Sequence, residues 1–188
     1  IHMTYQTLSG DCEIIARLTS TTGTNAGIMI RESTAANAKS ICILNNWVQQ
    51  SDSTQAGYPW YFKTALLARS ATGGGLTGGP STSFTNTSVW MRIVRTGNSF
   101  VAYASKDGAI WETVVNGVSI AMNASVQVGM YTYNTSSSSA TATFDNVTVR
   151  TFNPGYATSW LGNSFGGPDA FMQNDVKGMF VASDGTVF

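Results

Sequence analysis

The stretch VWMRIVRTGNSFVAYASKDGAIWETVV, residues 89–115, decides the fold of this chain. Its β-branched and aromatic runs are interrupted by Thr96-Gly97-Asn98 and by Ser105-Lys106-Asp107-Gly108, and both interruptions have the composition of hairpin turns. The pattern predicts a three-stranded antiparallel meander in which Trp90 and Trp111 are core residues. The middle strand should carry one set of side chains on a buried face and another set opposite: Phe100, Ala102 and Ala104, then Val101, Tyr103 and Ser105.

Further segments follow one another in a characteristic order. They are GDCEIIARLTS at 10–20, AGIMIRES at 26–33, the pattern running from Trp90 through Gly97-Asn98 to Trp111, and ATFDNVTV at 142–149. Together they resemble a family of bacterial extracellular domains with the concanavalin A-like (laminin G-like) jelly-roll fold. The resemblance implies an all-β antiparallel sandwich. Because this fold carries lectins, glycosidases and passive modules alike, it implies little about activity.

The domain organisation expected from these segments is a sandwich over residues 1–150 and an extension over 151–188. IHMTYQ at 1–6 reads as a strand already under way, whereas members of the family usually carry one or two strands before it, so we expect an N-terminally incomplete jelly roll. The extension is a linker rich in glycine and aromatic residues. It ends in VKGMFVASDGTVF at 176–188, which predicts a β-hairpin and resembles the opening strands of a β-propeller blade.

Composition narrows the setting. The 188 residues carry ten basic and ten acidic side chains, giving a formal net charge of zero, and only 11% are charged. Because the sequence has no run of either sign, the chain is not expected to bind nucleic acid or to carry a polybasic patch that binds membranes. No apolar run approaches the roughly 18 residues of a membrane span. The Ser-, Thr-, Asn- and Gly-rich segments between strands favour an extracellular or cell-surface protein.

The sequence does not decide whether its two cysteines, Cys12 and Cys42, form a disulfide bond. Strand-like runs at about 12–19, 26–31 and 40–45 predict a simple meander. The middle strand would then separate the cysteines by roughly 9–10 Å, beyond the reach of a disulfide. An oxidising compartment favours pairing nonetheless, so the disulfide stays open.

A candidate ligand-binding surface lies where aromatic residues occur beside amides, in predicted loop or edge-strand positions that Pro59 keeps out of a central strand. Sugar rings stack their C–H faces on aromatic side chains, while amides bind their hydroxyls. The alternative is that these residues cover the open end of the sandwich or contact a neighbouring chain. The candidate residues are Trp47, Gln49, Tyr58, Trp60 and Tyr61.

Catalytic and metal-binding signals are weak. The single histidine, His2, gives no support for a catalytic triad, and Asp11 with Glu13 is the nearest approach to a glycosidase carboxylate pair. We therefore expect no enzymatic activity, with glycoside hydrolysis as a remote alternative. No cofactor is expected beyond a structural Ca²⁺ ion, for which Asp145 is the candidate ligand.

Two functions follow as hypotheses. The first is a non-catalytic extracellular module that binds glycan or another cell-surface component. The second is a structural subunit of an extracellular filament that assembles by strand exchange, in which residues 176–188 of one copy fill the open edge of the next. The residues expected to be buried by that exchange are Met179, Phe180, Val181 and Phe188.

Overall fold

The computed structural model describes residues 2–22, 25–49, 60–84, 88–133 and 139–151. At 46–49, 60–63 and 82–84 it describes the backbone alone. The predicted hairpin at 176–188 lies outside the described residues, as does nearly all of the predicted extension. None of the described residues belongs to a helix long and apolar enough to cross a membrane.

The described residues form an antiparallel β-sandwich, as the sequence predicts. One sheet has six strands in the order β1-β10-β3-β4-β5-β6, and the other has five in the order β11-β2-β7-β8-β9. The strands are β1 (His2–Ser9), β2 (Cys12–Thr21), β3 (Asn25–Arg31), β4 (Ser40–Gln49), β5 (Trp60–Arg69), β6 (Thr77–Phe84), β7 (Val89–Thr96), β8 (Ser99–Ser105), β9 (Glu112–Ser119), β10 (Ser125–Tyr133) and β11 (Ala142–Thr151).

The predicted meander at 89–115 is confirmed as β7, β8 and β9, which are neighbours in the five-stranded sheet. Phe100, Ala102 and Ala104 are fully buried between the sheets. The prediction that Trp90 and Trp111 are core residues is wrong. The inward positions of β7 are taken by Val89, Met91 and Ile93, so strict alternation turns Trp90 to the outer face, and Trp111 precedes β9; both tryptophans are only partly buried.

The three strand-like runs at about 12–19, 26–31 and 40–45, of which the first and third contain the cysteines, do not form a meander. β2 pairs with β7 and β11 in the five-stranded sheet, whereas β3 and β4 pair with each other in the six-stranded sheet. Cys12 therefore lies in the core between the sheets, while Cys42 belongs to a separate apolar cluster on the outer face of the six-stranded sheet. Both thiols are buried and free.

Alternation along the six-stranded sheet creates this second apolar cluster. Ile28, Ile30, Ile41 and Ile43 point inward and belong to the main core. The intervening positions of β3, β4 and β10 point outward, and several of them are apolar and buried even though no second layer of described strands covers them. The outer cluster consists of Met29, Cys42, Leu44 and Tyr131, with Met3, Ala65 and Leu67 packed against it.

Candidate functional site

A groove lies on the outer face of the six-stranded sheet. Its volume is about 310 Å³, at the lower end of the range typical of ligand pockets. We call it the outer-face groove. It opens to solvent beside Leu76 and Tyr133, which are 53% and 40% exposed. The groove is lined by residues of β3, β4, β5 and β10 and of two connecting loops: Asn25, Met29, Arg31, Ala36, Ser40, Cys42, Leu44, Leu67, Arg69, Leu76, Tyr131 and Tyr133.

The floor of the outer-face groove is apolar and uncharged at neutral pH. The thiol of Cys42 donates a weak hydrogen bond to the carbonyl oxygen of Leu67 at 3.5 Å. Burial raises the pKa of the Cys42 thiol to about 11. It also raises the pKa of the neighbouring Tyr131 phenol well above its ordinary value. Neither group therefore places a charge in the groove, because burial in an apolar environment disfavours the ionised form.

One end of the groove is a row of polar side chains that crosses four strands. In the register of the sheet, Gln127 of β10 lies opposite Arg31 of β3, Arg31 lies opposite Ser40 of β4, and Ser40 lies opposite Arg69 of β5. Cross-strand neighbours point to the same face of a sheet. The two arginines are therefore two strand spacings apart, roughly 9–10 Å between Cα atoms, with the hydroxyl-bearing Ser40 between them. We call Arg31, Ser40 and Arg69 the arginine row.

Both arginines also hold the wall of the groove, the loop over residues 32–39. An Nη2 hydrogen of Arg31 is donated to the carbonyl oxygen of Ala35. Nη1 of Arg69 donates to the carbonyl oxygen of Ala36 at 2.7 Å. At the other side of the loop, Lys39 Nζ donates to Glu32 Oε1 at 3.2 Å and to Ala121 O at 2.6 Å. These contacts fix the loop as a wall beside the arginine row.

The Nε–H groups of the same two arginines have no hydrogen-bond acceptor among the described residues. Nε of Arg31 and Nε of Arg69 are both buried, and neither has a hydrogen-bond partner. Arg31 as a whole is only 8% exposed. Burial lowers the pKa of the Arg31 guanidinium, and the nearby positive charge of Arg69 lowers it further. Both effects act against the charged form of Arg31.

Four of the five residues predicted to bind ligand have a described backbone, and it lies at the opposite end of the β4–β5 hairpin. Backbone pairing places Trp47 opposite Phe62 and Gln49 opposite Trp60, with Tyr61 next along β5. Pairing with β3 ends at Asn46, so this end of β4 is paired only with β5 among the described residues. The side chains of Trp47, Gln49, Trp60 and Tyr61 and the whole of Tyr58 lie outside the described part.

The carboxylates singled out in the sequence are engaged in structural contacts. The two oxygens of Glu13 accept hydrogen bonds from Arg92 Nε at 2.9 Å and Arg150 Nε at 2.6 Å. Asp11 Oδ1 accepts a hydrogen bond from the backbone N–H of Gly97 at 2.6 Å. Asp11 and Glu13 therefore do not form an open pair for glycoside hydrolysis.

Asp145 is occupied in the same way. Its Oδ1 accepts a hydrogen bond from Arg17 Nε at 2.7 Å, and its Oδ2 pairs with Nη2 of the same guanidinium. Hydrogen bonding to Arg17 lowers the pKa of the Asp145 carboxyl. Within the described ranges no three His, Cys, Asp or Glu side chains come together as metal ligands. The calcium hypothesis therefore gains no support from this geometry.

Part of the sequence matches one known protein family. Residues 76–152 match the family DUF1349, described as a protein of unknown function. The matched range contains the 89–115 meander and β10 and β11, but not β3 or β4, which carry much of the outer-face groove. No curated protein matches the sequence.

Solved structures with similar folds share little sequence with this chain. A functionally unknown protein from Saccharomyces cerevisiae is 13% identical at a TM-score of 0.57, with 81% of this chain and 75% of that chain covered. The GH43 protein BlXynB from Bacillus licheniformis is 17% identical at a TM-score of 0.56, with 76% and 28% covered. A xylan β-1,4-xylosidase from Bacillus halodurans is 15% identical at a TM-score of 0.53, with 73% and 27% covered. The chain thus spans just over a quarter of these two bacterial proteins, and at such identities the likeness concerns the fold alone.

Proposed function

We propose that this chain is a non-catalytic extracellular module that binds glycan or another cell-surface component, and that it does so through the outer-face groove. The observation that carries the proposal is the groove itself, an apolar floor on an outer sheet face with polar side chains at both ends. Arg31 and Arg69 lie at one end, and Asn25 and Tyr133 lie at the other. Sugars need this combination, since their rings present apolar C–H faces and their hydroxyls require hydrogen-bonding partners.

The absence of catalysis is part of the proposal, and the contacts of the carboxylates support it. Of the six Asp and Glu side chains in the described ranges, five form hydrogen bonds or ion pairs with protein groups: Asp11, Glu13, Glu32, Asp107 and Asp145. A glycosidase needs two carboxylates that face one sugar from opposite sides. The described residues offer only Glu112 outside such contacts, and it lies on the other sheet.

The ligand panel for a first test should include β-xylan fragments, because one structural neighbour is a xylan β-1,4-xylosidase. It should also contain neutral and acidic oligosaccharides of other linkages. The measurement is a glycan array followed by isothermal titration calorimetry on the array hits. We expect binding of at least one glycan, with no release of sugar on prolonged incubation. No binding to any glycan of the panel would overturn the proposal.

The location of the site is tested by filling the groove. Leu67 lines the outer-face groove, and Leu67→Trp should weaken binding at least tenfold because the larger side chain occupies the ligand space. Val147→Trp is the matched control, since Val147 is on β11 of the other sheet and is 41% exposed. Trp47→Ala and Trp60→Ala test the opposite end of the hairpin. Binding that is lost in these two variants and retained in Leu67→Trp would move the site to that end.

Assembly by strand exchange is a second candidate, favoured by the edge of the six-stranded sheet. β1 pairs only with β10 among the described strands, so its other side presents unpaired backbone groups. A cavity of about 430 Å³ lies beside it, between β1 and β10 on one side and Ala142 and Phe144 of β11 on the other. An added strand would satisfy the backbone groups and cover these side chains.

A further inference from the structure

The arginines of this chain differ in how their charge is compensated. Arg17 is paired with Asp145, and Arg92 and Arg150 share Glu13. Arg95 is buried and donates hydrogen bonds to backbone carbonyl oxygens, among them Asn123 O at 2.8 Å. Each of these four arginines is therefore either ion-paired or surrounded by carbonyl acceptors.

Arg31 and Arg69 have neither form of compensation. Within the described ranges no ion pair includes them, and the hydrogen bonds they make there are one each, from Arg31 to the carbonyl oxygen of Ala35 and from Arg69 to that of Ala36. The nearest acidic neighbour in sequence, Glu32, is already engaged by Lys39 and by the backbone N–H of Asn123 at 3.0 Å. The end of the outer-face groove therefore holds two like charges without a described counter-charge.

The unpartnered donors and the positive charge point to one kind of ligand group. Arg31 is more than nine-tenths buried, lines the groove, and keeps a buried Nε–H without a partner. Arg69 lines the same end of the groove and has a second buried Nε–H without a partner. An oxyanion meets both needs at once, because it accepts hydrogen bonds from guanidinium groups and neutralises their charge.

We propose that the outer-face groove selects acidic glycans and that the arginine row binds the carboxylate of a uronic acid unit. This inference rests on the proposed glycan-binding function and names its substrate class. The sugar ring lies over the floor formed by Met29, Leu44 and Leu67, with its carboxylate directed to the arginine row. Ser40, which lies between the arginines in the sheet, supplies a hydroxyl that donates to the same anion. The groove volume of about 310 Å³ suits one sugar unit and its substituent.

The position of the arginine row beside an apolar floor strengthens its interaction with an anion. A buried cation without a partner is costly, and two of them close together repel each other. Binding of an anion removes both costs, so the interaction is more favourable than that of an anion with an exposed arginine. A neutral sugar of the same shape would leave the positive charges of Arg31 and Arg69 without a counter-charge.

The test compares an acidic sugar with its neutral form on the full chain. Trigalacturonate and its methyl ester have the same ring skeleton, and only the first carries free carboxylates. We expect isothermal titration calorimetry to show trigalacturonate binding at least tenfold more tightly than the ester. A sulfated oligosaccharide without uronic acid, such as one derived from κ-carrageenan, distinguishes sulfate from carboxylate as the source of the oxyanion. Tighter binding of this oligosaccharide than of trigalacturonate would retain the oxyanion site and overturn its assignment to a uronic acid.

Variants locate the effect in the arginine row. Arg69→Gln should reduce the affinity for trigalacturonate at least tenfold and leave the ester nearly unchanged. Arg69→Lys keeps the charge but loses the Nε–H, so it should recover only part of the affinity. Arg150→Gln is the charge-matched control on the other sheet, where Arg92 still pairs with Glu13, and it should stay within twofold of the parent protein. Circular dichroism confirms that each variant is folded, and Arg31→Gln is added if it passes that check.

The outcomes separate this inference from the proposed function. Equal affinity for trigalacturonate and its ester, with both weakened by Leu67→Trp, would overturn acid selectivity while glycan binding stands. An equal loss in Arg69→Gln and Arg150→Gln would overturn the assignment to the arginine row, since general electrostatic attraction would then explain the binding. If neither the acidic sugars nor any neutral glycan binds, both proposals fail together.

Discussion

Glu13 and Arg150 lie directly opposite each other on β2 and β11, and the buried carboxylate of Glu13 joins this arginine to Arg92 on β7. The Glu13 side chain is 3% exposed, whereas those of Arg92 and Arg150 are 33% and 62% exposed. One buried anion thus connects three neighbouring strands on the outer face of the five-stranded sheet. Its position at the centre makes it the dominant member of this network.

The first prediction follows from that asymmetry. Glu13→Gln removes the charge-assisted hydrogen bonds to both arginines and should lower the free energy of unfolding by about 1–3 kcal/mol. Arg150→Gln should lower it by less than about 1 kcal/mol, because this side chain is largely exposed and Arg92 continues to hold Glu13. Urea denaturation measures both values. Equal losses in the two variants would show that Glu13 does not organise the network.

Close backbone approach at Gly129 gives the second prediction. A Cβ atom added there would lie 2.0 Å from the carbonyl oxygen of Thr4 on β1. Gly129→Ala should therefore displace the edge strand β1 from β10 and lower the melting temperature by several degrees. Gly75→Ala is the control, since a Cβ at Gly75 meets nothing within 4 Å. A melting temperature unchanged in both variants would mean that β1 is held less closely than this spacing indicates.

The sequence predicted those parts of the architecture that have a local pattern. The meander at 89–115 was recognisable because alternation and turn residues are local signals, and the sandwich followed from the resemblance. The sheet assignment of β2 was not recognisable, because β2 and β3 are consecutive in sequence and their runs look alike. Only the pairing of β2 with β7 and β11, which are more than 70 and 120 residues away, separates the sheets.

The candidate site was not predicted for the same reason, because it depends on the pairing of strands that are distant in sequence. Trp47 and Trp60 were predicted to bind ligand because aromatic residues near amides are a compositional signal. Arg31 and Arg69 carried no such signal, since each is an ordinary polar residue at the end of a strand. They become a site only through register, which brings both next to Ser40. A single sequence contains the alternation that turns them outward but not the strand pairing that joins them.

The third prediction concerns alkaline pH. Burial raises the pKa of the Cys12 and Cys42 thiols from the ordinary value of 9.0 to about 11. A raised pKa in the folded state means that unfolding releases protons once the pH exceeds 9, so the stability contributed by the neutral thiols is present below pH 9 and lost as the pH rises towards 11. The raised pKa of Tyr131 acts in the same direction.

The measurement is urea denaturation at pH 8 and at pH 10.5, with the parent protein and the Cys12→Ala/Cys42→Ala double variant. We expect the free energy of unfolding to fall between the two pH values in the parent protein and to fall less in the variant. Alkylation by iodoacetamide at pH 8 should also be slow without denaturant, because the thiols are buried and protonated. Fast alkylation of the native protein would contradict the burial of both thiols.

The final prediction tests strand exchange at the β1 edge. If residues 176–188 of one copy add to β1 of the next, the full chain should form oligomers whose size grows with concentration, because a head-to-tail contact propagates unless it closes a ring. Deleting 176–188 should give a monomer by light scattering and remove any fibres seen by electron microscopy. A second variant keeps the segment and blocks the edge. The carbonyl oxygen of Thr4 faces Gly129 on β10, so the N–H of the next residue, Tyr5, faces the open side, and Tyr5→Pro removes that donor. If the full chain, the truncated chain and the Tyr5→Pro variant are all monomeric at high concentration, strand exchange is excluded and the glycan-binding module remains.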